Sequence, residues 1–449
     1  MLFVGRVLAI WRSWSVRRRL AACGGAVAIV AAGAVIAYAT LKRPGDVTNP
    51  SAPFHARQKP KAPRETDWPI YGYDGQRTRY LPAPHVHPPF SKPVWTWDAG
   101  RLLEFSPILI GHTLYDMDKA AILYAIDARN GKVRWHTKLG SLNASAPAYW
   151  RGRLFASTLE PGEIVSVRAK DGKVLWRHPL PGRTETSPLV YHGKVLAGCE
   201  CGDIFALDAK TGKTVWSVPS AGPVKGGVAL HDGTAFVGNY AGQLFAIDAD
   251  SGHVEWEASS QGLSFGRTGS FYSTPAVAYG RVYAGNLDGR VYSFVAKTGQ
   301  LAWSHSTGAE VYPGPAVADV PGTKPTVYIG SADHHFYALD ARTGAVRWER
   351  NVGGIILGAA SVIDRTVYVG VIGDNIGTFG FDAKTGKKVF YSPYGEYNPV
   401  ISDSRDLYLT GSSKLMELRP VKRLAASRRG HGGQHQGPKQ RHGGGRRKR

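Results

Sequence analysis

The sequence predicts an all-β, eight-bladed β-propeller of four-stranded blades, its ring closed by a strand from near the N-terminus, behind one N-terminal transmembrane helix. Three observations carry this reading. A twelve-residue unit recurs along the chain, an aromatic residue ends each copy at near-constant spacing, and the fragments at the two ends of the array are complementary.

The unit first reads YAIDARNGKVRW, from Tyr124 to Trp135, and returns as FALDAKTGKTVW at Phe205–Trp216 and FAIDADSGHVEW at Phe245–Trp256. Further copies are YSFVAKTGQLAW at Tyr292–Trp303 and YALDARTGAVRW at Tyr337–Trp348, with weaker ones at Val165–Trp176 and Phe379–Phe390. The terminal aromatics are Trp95, Trp135, Trp176, Trp216, Trp256, Trp303, Trp348 and Phe390, spaced 40 to 47 residues apart, the length of four short strands and their turns. Alternating large and small residues before the Asp suit a strand pressed between neighbouring sheets. The Asp closes an Asx-type turn, the Gly supplies the positive φ of a tight hairpin, and the Trp needs a neighbouring blade to be buried.

Two strands precede each unit, as in Glu185–Val190 followed by Lys194–Gly198, or Ser273–Ala278 followed by Arg281–Gly285. The array opens on an isolated Trp strand, Pro93–Trp97, and ends around Asn398–Leu418 with three strands and no Trp strand. Joining the two pieces makes an eighth blade. The propeller is therefore assigned to residues 67–420.

Outside the array, Leu20–Leu41 holds no charged residue, and twenty-two residues at about 1.5 Å rise span roughly 33 Å. Arg12, Arg17, Arg18 and Arg19 precede it, so residues 1–19 are expected to be a cytoplasmic stub and the propeller extracytoplasmic. Whether residues 20–41 stay as an anchor or are cut after Ala37-Tyr38-Ala39 stays open. Residues 42–66, rich in Pro, Lys, Ser and Ala, are expected to be an extended linker that holds the body off the membrane. The net charge is +22, and from Arg419 onward there are eleven Lys or Arg and no acid. Residues 421–449, rich in Gly and His, thus read as a disordered basic tail suited to polyanions such as anionic lipid or wall polymer. The tail lacks the interleaved aromatics of a single-strand nucleic-acid binder, so no specific nucleic acid is expected.

The unit [FY]-A-[LI]-D-A-x-T-G-x-x-x-W resembles the repeat of pyrroloquinoline-quinone-dependent dehydrogenases and their non-enzymatic relatives, the PQQ-like propeller family, over about residues 67–418. The stretch Asp67–Asp74, with Arg77-Thr78-Arg79-Tyr80, is similar to the lead-in before that family's first blade. For the alcohol dehydrogenases of this type, the resemblance implies a quinone in the axial funnel, a catalytic Asp, and a calcium ion held by Glu, Asn and Asp. It also implies a disulfide between adjacent cysteines. Cys199-Glu200-Cys201 is not an adjacent pair, and neither a calcium triad nor a catalytic Asp can be placed. No catalytic, cofactor or metal residue is therefore expected. The chain is similar in length to the branch that holds the propeller lipoprotein of the outer-membrane barrel-assembly machinery, which binds a partner protein. It departs from that lipoprotein at Leu20-Ala21-Ala22-Cys23, where the hydrophobic stretch follows the cysteine.

The function expected is a membrane-anchored binding scaffold of the cell envelope, with a quinone-dependent dehydrogenase and a small-ligand sensor as alternatives. Propellers bind at one mouth of the axial channel, where inner strands begin. The residues just ahead of those strands are Glu104, Glu185, Lys225, Tyr272, Tyr312 and Glu396, a set suited to an envelope protein or a polar or basic small ligand. The extra loop Ser259–Phe271, with Arg267, is a further candidate binding face. Cys199 and Cys201, two apart on a strand, are expected to lie at a distance unfavourable for bridging. His85, His87, His334 and His335 lack partners at metal spacing.

Overall fold

Each repeat folds because its Asp organises the turn that follows it. In the unit ending at Trp216, the backbone N–H and hydroxyl of Thr211 donate to Asp208 Oδ1 at 2.7 and 2.8 Å, and Gly212 N–H donates to the Asp208 carbonyl at 2.8 Å. These bonds hold the Asp208 carboxyl below its ordinary range. The result is a hairpin between Asp203–Asp208 and Thr214–Pro219, completed on the inner side by Lys194–Gly198 and Leu189–Tyr191.

The structure is a computed structural model that describes residues 15, 44–56, 67–263, 268–397 and 400–421. It contains eight such antiparallel sheets, arranged as an eight-bladed propeller. The first seven blades begin at Ile108, Ala148, Leu189, Ala229, Ala276, Ala316 and Ser361. Blade eight takes three strands from the C-terminal end, Val400–Ser402, Leu407–Gly411 and Lys414–Leu418, and its outer strand, Thr96–Asp98, from the N-terminal side. The closure expected from the isolated Trp strand is present. The sequence analysis assigned a transmembrane helix to 20–41, a stub to 1–19, a linker to 42–66 and a tail to 421–449. Of these, all but Ser15, residues 44–56 and Val421 lie outside the described residues, as do Arg267 and Asn398. Among the described residues no helix is long and apolar enough to cross a membrane.

The core lies between blades. Leu196, Ala206 and Trp216 of blade three, for example, pack with Ala235, Val237, Phe245, Ile247 and Ala249 of blade four. One polar bond repeats at these junctions. The indole N–H of Trp95, Trp135, Trp176, Trp216, Trp256, Trp303 and Trp348 donates to the carbonyl of Ala128, Ala169, Ala209, Ala249, Ala296, Ala341 and Ala383 respectively, at 2.9 to 3.3 Å. The ring then lies flat on the turn glycine. A Cβ on Gly212, whose φ is +73°, would come within 2.7 Å of the Trp176 ring. The junction of blades seven and eight differs, because Phe390 has no N–H to give. Its ring meets Phe90 edge-on at 5.6 Å, and Tyr368 of its own blade at 5.7 Å.

The lead-in Asp67–Leu81 runs inside the ring and closes its axis. Innermost strands turn a free edge toward the axis, and this segment satisfies it. Tyr149, Leu230, Val277, Val317 and Val362 N–H groups donate to the carbonyls of Pro69, Gly75, Gln76, Thr78 and Arg79, and Trp68 bridges Leu109. Blade three is served by a side chain. The Arg77 guanidinium donates to the carbonyls of Ser187, Pro188, Val228 and Tyr71, while Arg79 donates to Pro315 and Arg77. Both arginines are fully buried, and burial pulls the Arg77 guanidinium down to about 9.

The expected free linker is corrected over residues 44–56. Val47 and Thr48 add a fifth strand to blade five beside Ser304 and Trp303, and Asn49 N–H donates to the Ala302 carbonyl. The Arg281 guanidinium donates to the carbonyls of Ala52 and Pro53, Phe54 stacks on Tyr279 at 5.6 Å, and Asp46 pairs with Arg290 at 3.2 Å. Pro-rich composition disfavours regular structure within the segment. It does not prevent docking on an open strand edge that offers backbone partners and two arginines.

Three substitutions test the stability these contacts provide. Trp176→Phe should lower the unfolding free energy by about 1 kcal/mol through the lost indole bond, and Gly212→Ala by about 2 kcal/mol or more through backbone strain and collision with the ring, both measured by urea unfolding. Arg77→Met should cost about 3 kcal/mol or more in the same assay, since it strips donors from four carbonyls at the axis.

Candidate functional site

Above the closed axis, the loops entering the inner strands surround a cavity of about 320 Å³. Five of the six rim residues singled out from the sequence line it: Glu104, Glu185, Lys225, Tyr272 and Tyr312. The sixth, Glu396, does not. Gly395, with φ +125°, turns the chain so that Tyr397 lines the cavity, the Tyr397 carbonyl resting against Gly358. Glu396 stays close enough to raise the Tyr397 hydroxyl pKa, after burial and Glu104.

Sequence reasoning missed the floor. Tyr71 rises from the lead-in, buried against Ala146, Ala359 and Phe105, with Phe105 edge-on to its ring at 5.4 Å. Beneath it lies the Arg79 guanidinium, 5.2 Å from the Tyr71 ring centre. The available signal was the Trp-Pro-x-Tyr-Gly stretch ahead of Arg77 and Arg79, which carries an aromatic that no blade claims.

One wall is an ion network. Lys225 Nζ lies 2.8 Å from Glu185 Oε1, 3.1 Å from Glu200 Oε1 and 5.5 Å from the centre of the Tyr240 ring. Tyr272 donates its hydroxyl to Glu185 Oε2 at 3.2 Å, and the rings of Tyr240, Tyr272 and Tyr312 meet edge to face in succession, at 6.2 and 5.8 Å. Burial opposes the Lys225 ammonium, but the bonds and charges of Glu185 and Glu200 outweigh it and raise its pKa. Burial also raises the Glu104 carboxyl, with Lys119 opposing and Glu185 adding to the shift. Tyr240 is pushed up to about 12, chiefly by burial.

Glu200 owes its position to the cysteines on either side, and here the expected spacing is corrected. The strand ends at Gly198, and Cys199–Gly202 form a turn in which Gly202 N–H donates to the Cys199 carbonyl at 3.1 Å. The turn brings the two Cα atoms to 5.0 Å, and Cys199 and Cys201 are joined by a disulfide. Cys199 is buried and Cys201 exposed. Elsewhere, His85 and His87 border a shallow cleft with Arg405 and Pro420, and His335 Nδ1 lies 3.0 Å from the Asp333 carbonyl. The described ends of the long loop between blades four and five are fixed by Ser260 and Phe271, whose N–H groups donate to Gly242 and Asn239.

The mouth does not fit the quinone and calcium of the dehydrogenases. The lead-in occupies the axis, and the disulfide brackets Glu200 in a blade-three turn. Among the described residues no three His, Cys, Asp or Glu side chains are placed to share a metal ion. What the arrangement offers chemically is recognition: carboxylates and one neutralised lysine set among aromatic walls.

Lys225 carries a pH prediction. A raised ammonium pKa stabilises the folded state fully below the unfolded lysine value of about 10.4, and that contribution is lost as pH rises through the higher folded value. Lys225→Met should therefore lower the melting temperature at pH 8, and the gap to the native chain should narrow as pH rises past the unfolded lysine value of about 10.4.

Comparison with known proteins agrees with this geometry. The solved BamB of Moraxella catarrhalis superposes with a TM-score of 0.61 at 18% identity, covering 74% of this chain and all of that one. The quinohemoprotein alcohol dehydrogenase ADHIIG of Pseudomonas putida HK5 gives 0.66 at 14% identity, covering 79% of this chain and 80% of that one. The quinoprotein glucose dehydrogenase of Escherichia coli (strain K12) is 27% identical over 143 residues, 28% of this chain but 18% of the enzyme, so the match spans under a fifth of that relative's length. The family model described as outer membrane protein assembly factor BamB matches residues 118–200 and 200–422. With two-thirds of its length matched by that model and the ring complete, the chain belongs to this PQQ-like β-propeller family.

Proposed function

We propose that the chain is a non-enzymatic, extracytoplasmic scaffold of the cell envelope, held by residues 20–41 and receiving a protein partner at the stoppered mouth of its propeller. The observation that carries this reading is the lead-in: its backbone and Arg77 fill the axis and leave a shallow acidic and aromatic basin. Such a basin suits a projecting side chain better than an enclosed cofactor. The uncharged run Leu20–Leu41, with arginines ahead of it, supports the anchor. The docked strap 44–56 gives that anchor a mechanical role. With two residues, Lys42 and Arg43, between Leu41 and Pro44, blade five would sit close to the bilayer and the ring would stand on its edge, its mouth facing sideways. The basic tail would add salt-sensitive contact with anionic lipid or wall polymer.

Quinone-dependent oxidation is the second reading, favoured by the dehydrogenase similarities and opposed by the residues at the mouth. Two experiments separate them. Crosslinking in intact membranes followed by purification should recover a partner with the native chain and less of it with Tyr312→Ala, while Lys210→Ala on an outer turn changes nothing; a chain always recovered alone overturns the scaffold. Purified protein given the quinone, calcium and alcohols or sugars should reduce no dye, and sustained turnover would establish the enzyme.

A further inference from the structure

We propose that the axial mouth is a binding site for an alkylammonium group, the end of a lysine side chain or of a free polyamine, held between Glu104, Glu185 and the rings of Tyr272, Tyr312 and Tyr397. This deepens the scaffold reading and rests on it for the partner, though not for the site itself.

The chain already shows how these groups hold an ammonium. Lys225 sits between two carboxylates and over the Tyr240 ring, one step around the same rim. The rest of the cavity repeats those materials, with Tyr71, Phe105, Tyr272, Tyr312 and Tyr397 as walls, Glu104 as a further acid, and Glu185 shared with Lys225. Lys225 is the one basic residue among its lining residues, and Glu185 and Glu200 neutralise it. Around the mouth, the carboxylates of Glu104, Glu185, Glu200 and Glu396 thus face the ammonium groups of Lys225 and Lys119. The surplus is acidic, and it is partly buried, where screening is weaker than at an open surface. Aromatic faces near carboxylates favour a cation with an apolar stem, since the ring quadrupole attracts the charge to the face and the walls cover the methylenes.

The floor sets the depth. Arg79 lies under Tyr71, Arg77 lies beside it in the lead-in, and Asp74 is the acid within their reach. Their combined charge repels a cation that descends to the axis. The ammonium is held at the level of the rim acids, with its stem lying across the basin. A bare metal ion is poorly served by this set, because no three ligating side chains converge among the described residues. An anion would meet the rim acids before reaching the guanidinium groups.

The test is isothermal titration calorimetry on the full chain in detergent, with n-butylammonium and cadaverine against butan-1-ol, and an end-blocked lysine pentapeptide against its norleucine counterpart. The amines should bind at least about tenfold more tightly than the alcohol, and Glu104→Gln should weaken them by about tenfold. Tyr312→Leu should weaken them too, which keeps the test decisive if Glu104→Gln unfolds the rim. Cadaverine without the lysine peptide would assign a free polyamine; the peptide binding as well or better would assign a protein lysine. Equal affinity for the alcohol, no heat with any amine up to about 10 mM, or binding untouched by both substitutions overturns the site. Repeating the membrane crosslinking with Glu104→Gln separates this failure from that of the scaffold. A partner still recovered by a chain that binds no amine leaves the scaffold standing without an ammonium site.

Discussion

The ring depends on a contact made across the gap between sheets: an indole from one blade laid on the turn glycine of the next, its N–H given to the neighbouring alanine carbonyl. No blade can bury its own outer-strand tryptophan, and at three joints a tyrosine of the same blade, Tyr115, Tyr283 or Tyr328, donates its hydroxyl to the same alanine carbonyl. Each blade therefore supplies half of a joint and lacks the other half, which makes a partial array open at both ends. Closure by Thr96–Asp98 answers this, since it brings Trp95 onto the Ala128 turn and so gives blade eight the same joint with blade one. The remaining joint, made by Phe390, has packing without the polar bond. It is the place where the ring holds with least directionality.

The lead-in adds a second constraint of a different kind. The eight joints lie toward the outside of the blades, whereas the innermost strands turn unpaired backbone toward the axis. Leaving those groups to water gives an open channel; covering them with chain gives a stopper. Here the stopper is covalently part of the segment that goes on to close the ring, so both closures are made by residues 67–98. The same residues carry Tyr71 into the basin. The floor of the candidate site is thus tied to the integrity of the ring, and strain at Arg77 and Arg79, both at positive φ, is held in place by the carbonyls that their guanidinium groups serve.

The blades were legible because their signal is periodic and redundant. Seven imperfect copies of the Asp turn and the Trp fix strand order and register, and the stray Trp strand reveals the closure. The rim was legible to the extent that repeats align: five positions ahead of the inner strands converge as register says they must. Glu396 missed because the turn at Gly395 shifts the chain by one residue, and no repeat shares that turn. The lead-in, the strap and the disulfide were not legible for a common reason. Each is a single, non-repeated stretch whose conformation comes from what it docks against. Arg77 reads as part of the lead-in with no partner named until the carbonyls of Ser187, Pro188 and Val228 are placed around it, and Asp46 reads as linker until Arg290 is placed opposite. Cys199 and Cys201 read as strand residues until the chain turns at Gly198.

A propeller of this family is in effect a ring of nearly equivalent joints around an axis, and its chemistry is decided by what is put on that axis. The similarity of this chain to both BamB and quinoprotein dehydrogenases is one of fold. Because the lead-in is itself similar to that family's, the difference in what they do has to be sought in the side chains it carries and in those around the mouth. In this chain they make a shallow basin with basic groups beneath and acidic groups around it. That vertical separation of charge orients whatever enters, and it arises from one non-repeated stretch of fifteen residues rather than from the repeats that dominate the sequence.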